Sequence, residues 1–336
     1  MRSLLALMFL GLLVVAGPAA AVTLKIATLS PDGTSWMKNM RAAGKEIAER
    51  TGGRVKLRFY PGGVMGNYRS MLRKIRIGQL HGAAVTSGAL TDVVPDAEIY
   101  GLPFLFRDLG EVDYVRKRID PVIMERLKKT GLICFGFAEG GFAHIMSKQR
   151  IQTLDDAKHR KFWAPTGDPV TETALAALGI SPIVLQLTDV LTGLQTGLVD
   201  TVASPPAAAI ALQWHTQVRY LLDMPLIYIY GTLVISDKSL RRLSAEDRAT
   251  LRTILTDTFE RMDSANRKEN AAAKAALRNQ GIQFLVPAAD DRAAWEQTIE
   301  QAILKLGEDG FFTEGMVQQV RDPVWEYRKR TSQPGP

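Results

Sequence analysis

Apolar positions along this chain switch between a two-residue and a three-to-four-residue rhythm, and the switch repeats. The segment "TLKIATL" (23–29) is rich in β-formers, and in the stretch after it Met37, Met40, Ile47 and Ala48 recur near helical spacing until Gly52-Gly53 ends the run. "VKLRFYPGG" and "NYRSMLRKIRIGQL" repeat the order of strand then helix, and "HGAAVTSGAL" reads as a third strand of small residues. A βαβαβ order predicts a parallel sheet with helices on both faces. The short apolar piece "YGLPFLF", a charged helix over about 113–129 and the strand "LICFGFAEGG" follow.

A second unit of the same kind begins near Gly141 with "HIMSKQRIQ" as a strand. "TLDDAKH" gives one helical turn capped by Thr153, "RKFWAP" a strand, and "TETALAALG" a helix closed by Gly179. After "SPIVLQL" come an amphipathic helix in "TDVLTGLQTGLVD" and a strand end in "TVASPP". The remainder reads as a long helix in "AAAIALQWHTQVRYLL", an apolar strand in "LIYIYGTLVIS" and two long helical regions, 244–281 and 290–307. Two α/β lobes are implied.

Composition fits that reading: 336 residues with 46% hydrophobic and 23% charged residues are ordinary for a globular protein of two domains. The first 21 residues stand apart. Arg2, the apolar run "LLALMFLGLLVV" and the small-residue site "GPAAA" predict an export signal cleaved after Ala21, because the run is short of the roughly 20 residues that cross a bilayer. A mature protein free in the periplasm is expected, and no Cys follows the cleavage site to carry a lipid. Cys134 is the only cysteine and reads as a buried strand thiol, so no internal disulfide can form. The net charge of +7 is spread over helical segments such as "RSMLRKIRIGQ", which argues for solvated faces and against a nucleic-acid partner.

Catalytic signatures are missing from the sequence. His81, His144, His159 and His215 are scattered without metal-ligand spacing, and there is no nucleophile elbow. "TGGR" and "YPGGVMG" read as turns, not phosphate loops. Asp155-Asp156 and Asp290-Asp291 fall at helix starts, where they favour the positive end of the dipole. No enzyme activity, metal or cofactor is expected.

The blocks "TLKIATLSPDGTSW", "GGRVKLRFYPGGVMGNYRSMLRKIRIGQL", "YGLPFLFRD", "SKQRIQTLDDAKHRKFWAP" and "VLTGLQTGLVDTVASPP" resemble, in order and spacing, the periplasmic substrate-binding proteins of TRAP (tripartite ATP-independent periplasmic) transporters. The resemblance implies a type II-like periplasmic binding protein, each lobe a mixed sheet flanked by helices, with long C-terminal bracing helices. Lobe I would comprise 22–140 and about 230–269, and lobe II 141–229 and about 270–330. It further implies a small-molecule ligand, ion-gradient-driven permease subunits as partners, and a monomer or weak dimer.

Within that resemblance the site departs from the family. Where such receptors end a strand in R-x-P, with an Arg clamping the ligand carboxylate, this chain has Trp163 in "FWAP". A second family Arg matches Ala143; the usual Asn matches Ser204, and an acidic variant matches Ala203. An indole cannot make the two-donor pair of a guanidinium, and a carboxylate buried without its cation costs several kcal/mol. A simple carboxylate ligand is therefore disfavoured. Trp163 either lines an apolar pocket, or cages a cation with Trp36 and Trp214, or is core filler. The expected ligand-binding set is Trp163, Trp36, Ser30, Thr86, Ser87, Phe142, Thr166, Leu187, Ser204 and Trp214. Tyr228 and Tyr230 alternate with Ile227 and Ile229, and either pair can face the cleft. A binding or sensing protein for an apolar, aromatic or cationic ligand, without permease handover, is the competing reading.

Overall fold

The computed structural model describes residues 21–332, so the segment read as an export signal lies outside the described residues but for Ala21. The first five elements are β1 (Val22–Thr28), α1 (Ser35–Arg50), β2 (Val55–Tyr60), α2 (Tyr68–Arg76) and β3 (Gly82–Thr86). β1 pairs in parallel with both β2 and β3, as the βαβαβ pattern predicts. The Thr34 side chain accepts from Met37 N and starts α1, which buries Met37, Met40, Ala43 and Ile47 at helical spacing. Two 3₁₀ segments, Ser87–Leu90 and Pro95–Gly101, then lead into α3 (Leu109–Lys129), capped by Asp108.

The largest difference from the sequence reading follows. "LICFGFAEGG" and "HIMSKQRIQ", read as two strands, form a single 16-residue strand, β4 (Leu132–Ser147). Gly136 and Gly141 take positive φ, and the register shifts between Cys134/Phe137 and between Glu139/Gly141. The glycines therefore bend one strand by bulges instead of ending it.

The elements after β4, in the range expected for lobe II, are α4 (Leu154–Lys158), β5 (Trp163–Pro165), α5 (Pro169–Ala177), β6 (Ile183–Leu185), α6 (Val190–Thr196), β7 (Thr201–Ser204), α7 (Pro206–Ala211) and β8 (Tyr220–Leu222). The Thr153 cap is present as a full capping box with Asp156. The long helix expected over 207–222 is not formed. α7 stops at Ala211, Gln213 adopts φ 60°, a 3₁₀ turn covers Trp214–Gln217, and Tyr220–Leu222 joins the sheet. Burial of Trp214 at 2% exposure and pairing of Leu221 with Met146 override the local helical pattern.

The chain continues through β9 (Ile227–Ser236), α8 (Asp237–Leu240), α9 (Ala245–Asn279), β10 (Gln283–Leu285), α10 (Ala289–Glu308) and α11 (Met316–Ser332). β9 pairs antiparallel with β3 on one side and β4 on the other, while the far end of β4 pairs with β7 and β8. β4 and β9 thus carry the chain between lobes. α9 is 35 residues long and touches α1 in lobe I, α7 in lobe II and β4 between them. At 1.5 Å per residue it extends about 50 Å, enough to brace both lobes. α11, not foreseen from the sequence, packs on α3, where Arg328 Nε meets Glu111 at 2.7 Å and the Tyr327 ring lies tilted against Tyr114. Its buried stripe of Met316, Val320, Pro323 and Val324 is helical in spacing, with Pro323 inside the helix.

Candidate ligand cleft

A cavity of about 460 Å³ lies between the lobes, within the range that holds small organic ligands. Lobe I supplies the ends of β1 and β3 with Ser30, Thr86 and Ser87; lobe II supplies the segments after β5, β6 and β7 with Thr166, Leu187 and Ser204. Strand carboxyl ends leave their loops free to converge on such a crevice. The crossing strands add Gly140, Ala143, Ile227 and Ile229, and α9 adds Asn266, Glu269 and Asn270. The lobes meet around the cavity: Thr91 Oγ1 donates to Gly167 O at 3.3 Å, and a methyl group built on Gly63 would lie 3.3 Å from Thr188 Cγ2.

Of the ten residues expected to bind ligand, nine line this cavity: Trp163, Trp36, Ser30, Thr86, Ser87, Thr166, Leu187, Ser204 and Trp214. Phe142 does not. The bulge at Glu139/Gly141 changes the phase of β4, so Ala143 reaches the cleft while Phe142 packs against Tyr228 with ring centroids 5.7 Å apart. The alternation in β9 also resolves. Ile227 and Ile229 reach the cleft, whereas the Tyr228 hydroxyl accepts from Arg116 Nη1 at 3.1 Å and the Tyr230 hydroxyl donates to Ala97 O, both rings being buried. Tyr230 still touches the cavity edge.

Trp163 opens β5 and is 7% exposed. Its Nε1 donates to Leu185 O at 3.1 Å, and its ring meets Trp214 nearly edge to face, 5.1 Å apart at 77°. The indole N–H is therefore engaged within lobe II. Ala143 offers only a methyl, and Ser204 Oγ donates to Pro205 O at 3.1 Å. Among the described residues Arg69 is the only Lys or Arg on the cavity wall; its Nε is held by Asp92 at 2.9 Å and its side chain is 68% exposed. No guanidinium stands where the R-x-P Arg would.

Five acidic residues on the wall were not singled out in the sequence: Asp92 is paired with Arg69, Glu139 with Arg267, Glu269 accepts from Ser35 Oγ, and Glu98 and Asp168 make no salt bridge among the described residues. Glu98, in the 3₁₀ segment Pro95–Gly101, is 5% exposed and its Oε2 has no hydrogen-bond partner. Burial and the neighbouring Asp168 push its carboxyl well above the usual carboxylate range. Asp168 caps α5, its Oδ1 accepting from Thr171 N at 2.9 Å and its Oδ2 from Thr171 Oγ1 at 2.7 Å, and burial raises its pKa too. Tyr68, also on the wall, is pushed up to about 12 by burial. Asp168 before Pro169 is a legible helix-start signal; Glu98 sits in "PDAEIYG", which has no periodicity to mark it. Elsewhere, burial raises the Cys134 thiol to about 11, in line with a structural strand thiol. Among the described residues no three metal-ligating side chains converge, and no helix is long and apolar enough to cross a membrane.

Residues 26–309 match the family described as bacterial extracellular solute-binding protein, family 7. The protein YiiZ of Salmonella typhimurium (strain LT2) is 27% identical over 249 residues, covering 72% of this chain and 75% of its own. The C4-dicarboxylate-binding periplasmic protein DctP of Rhodobacter capsulatus is 23% identical over 259 residues, 76% of this chain and 78% of its own. Among solved structures, the sugar acid binding protein DctPAm of Advenella mimigardefordensis, in complex with galactonate, superposes with a TM-score of 0.85 at 19% identity, over 91% of this chain and 99% of that one. A TRAP periplasmic solute binding protein from Desulfovibrio salexigens with bound orotic acid gives 0.83 at 18% identity, over 90% and 99%. These two likenesses establish the shared two-lobed fold. With the family match running through both lobes, the chain belongs to family 7 of the bacterial extracellular solute-binding proteins, where its resemblance to TRAP receptors pointed.

Proposed function

We propose that this protein captures a small organic ligand in the periplasm for a TRAP-type permease, and that the ligand is not held by a carboxylate–guanidinium pair. The family match supports a receptor over an enzyme or a stand-alone sensor. The observation that carries the ligand reading is the wall itself: Trp163, Ala143 and Ser204 bring no charge, and Arg69, the one Lys or Arg on it among the described residues, is already paired with Asp92. Similar receptors have been solved with succinate, galactonate and pyroglutamic acid. Here such an acid would be buried beside Glu98 and Asp168 with no cation to offset it.

The nine lining residues named above form the proposed contact set, joined by Glu98, Asp168, Asn266 and Asn270. Lobe I is taken as 22–140 with about 230–269 and lobe II as 141–229 with about 270–310, α11 returning to lobe I. The ligand drives closure only through contacts that are better in the closed form. In a thermal-shift assay with succinate, D-galacturonate and L-pyroglutamate, each at about 10 mM, the melting temperature is expected to stay within about 1 °C. A ligand at 1,000 times its Kd would add about 4 kcal/mol and raise it by several degrees. A clear rise with any of the three would refute the reading.

A further inference from the structure

We propose that Glu98 and Asp168 form the polar end of the cleft and bind an ammonium N–H group, so that the ligand class is an organic amine with an apolar body. This deepens the reading above and rests on it, since an anion-gripping cleft would need the opposite charge at its wall. Glu98 comes from lobe I and Asp168 from lobe II, and both border the cavity beside Gly88. A methyl group built on Gly88 would lie 3.3 Å from Glu98 Oε2 and 4.0 Å from Asp168 Cγ. The two carboxyls therefore converge on one small volume from opposite sides of the closure.

Glu98 is held in place without being satisfied. A side chain at Gly101 would fall 2.2 Å from Glu98 Oε1, and one at Gly88 would crowd Oε2, so two glycines cradle the carboxyl. The Ser87 hydroxyl is the one side-chain donor that acts on this carboxyl among the described residues, and Oε2 has no partner in hydrogen-bonding geometry although the residue is 95% removed from solvent. An unpaired buried acceptor is costly to maintain, which points to a donor that arrives with the ligand. Asp168 accepts from the Thr171 backbone and hydroxyl and from the Val170 backbone, which leaves part of its acceptor capacity for a ligand. An ammonium group supplies up to three donors and the charge that lets both acids ionise together. The raised pKa values agree with two buried acids that lack a cation: burial disfavours their charged forms, and an incoming ammonium would favour them. The rest of the wall suits an apolar body, with Trp163, Leu187, Ile227 and Ile229 exposed to the same cavity.

The mechanism follows from the placement. Two carboxylates on opposite lobes repel when both are ionised, so an ammonium bridging them is bound better closed than open. The test is a thermal-shift and calorimetric panel of benzylamine, isobutylamine, ethanolamine and 1,4-diaminobutane at about 20 mM, beside benzyl alcohol and benzoate. At least one amine is expected to raise the melting temperature by several degrees while the alcohol and the acid do not. Glu98→Gln and Asp168→Asn are each expected to weaken that amine at least about tenfold, the loss of one charge-assisted hydrogen bond. Gln and Asn keep the shape, and Asn keeps the cap acceptor, so a cooperative melt of each variant confirms folding. No shift with any amine, or an amine bound equally by Glu98→Gln, overturns this inference alone. Stabilisation by benzoate overturns both it and the reading on which it rests.

Discussion

Trp163 has two roles that the sequence presents as alternatives. Its N–H is bonded to Leu185 O and its ring rests against Trp214 in the lobe II core, yet one part of it faces the cavity. The position was legible because R-x-P is replaced by W-A-P; the double role was not, since β6 and the Trp214 turn are distant in sequence. A cage of three indoles around a cation is not what forms, because Trp214 covers Trp163 by its edge and is itself 2% exposed. With 7% exposure, Trp163 packs as a core residue. Trp163→Ala is accordingly expected to lower unfolding free energy by about 3–5 kcal/mol in urea melts, the range for truncating a buried indole. A loss below about 1 kcal/mol would mean that solvent already fills that side of the lobe.

The elements carried by strong local signals emerged as read: the βαβαβ start, the Thr153 cap, the strand at 227–236 and the two long C-terminal helices. Those decided by long-range pairing did not. "AEGG" looks like a turn, but α9 repairs what the bulge takes from the ladder. Asp263 Oδ1 accepts from Glu139 N at 2.7 Å, Asn266 Nδ2 donates to Glu139 O at 2.6 Å, and Asn270 Nδ2 donates to Gly140 O at 2.9 Å. These bonds satisfy backbone groups between the lobes, so the helix fixes where the crossing strand bends. Gly141 has φ 99°, and a methyl group on it would stand 2.8 Å from Asn270 Nδ2. Gly141→Ala should therefore destabilise the protein by about 1–3 kcal/mol, read as a lower urea midpoint at unchanged slope. An unchanged midpoint would show that the bend does not depend on this glycine.

For the whole molecule, two lobes, two crossing strands and one bracing helix frame a cleft in which buried acids and apolar side chains share the wall. The lobes already touch through Thr91 and Gly167, beside the two carboxyls, so ligand charge is sensed where closure occurs. The family's two-lobed plan was readable from the ordered blocks of sequence, and nine of ten expected cleft residues share the cavity. Glu98 was not readable, because its burial is a product of the folded packing around a segment without periodicity. The central claim is that this cleft has lost the carboxylate grip. Its most direct test is mass spectrometry of whatever compound remains bound to protein purified without unfolding. The expected result is an organic compound without a free carboxylate; a stoichiometric dicarboxylate or sugar acid would contradict the account.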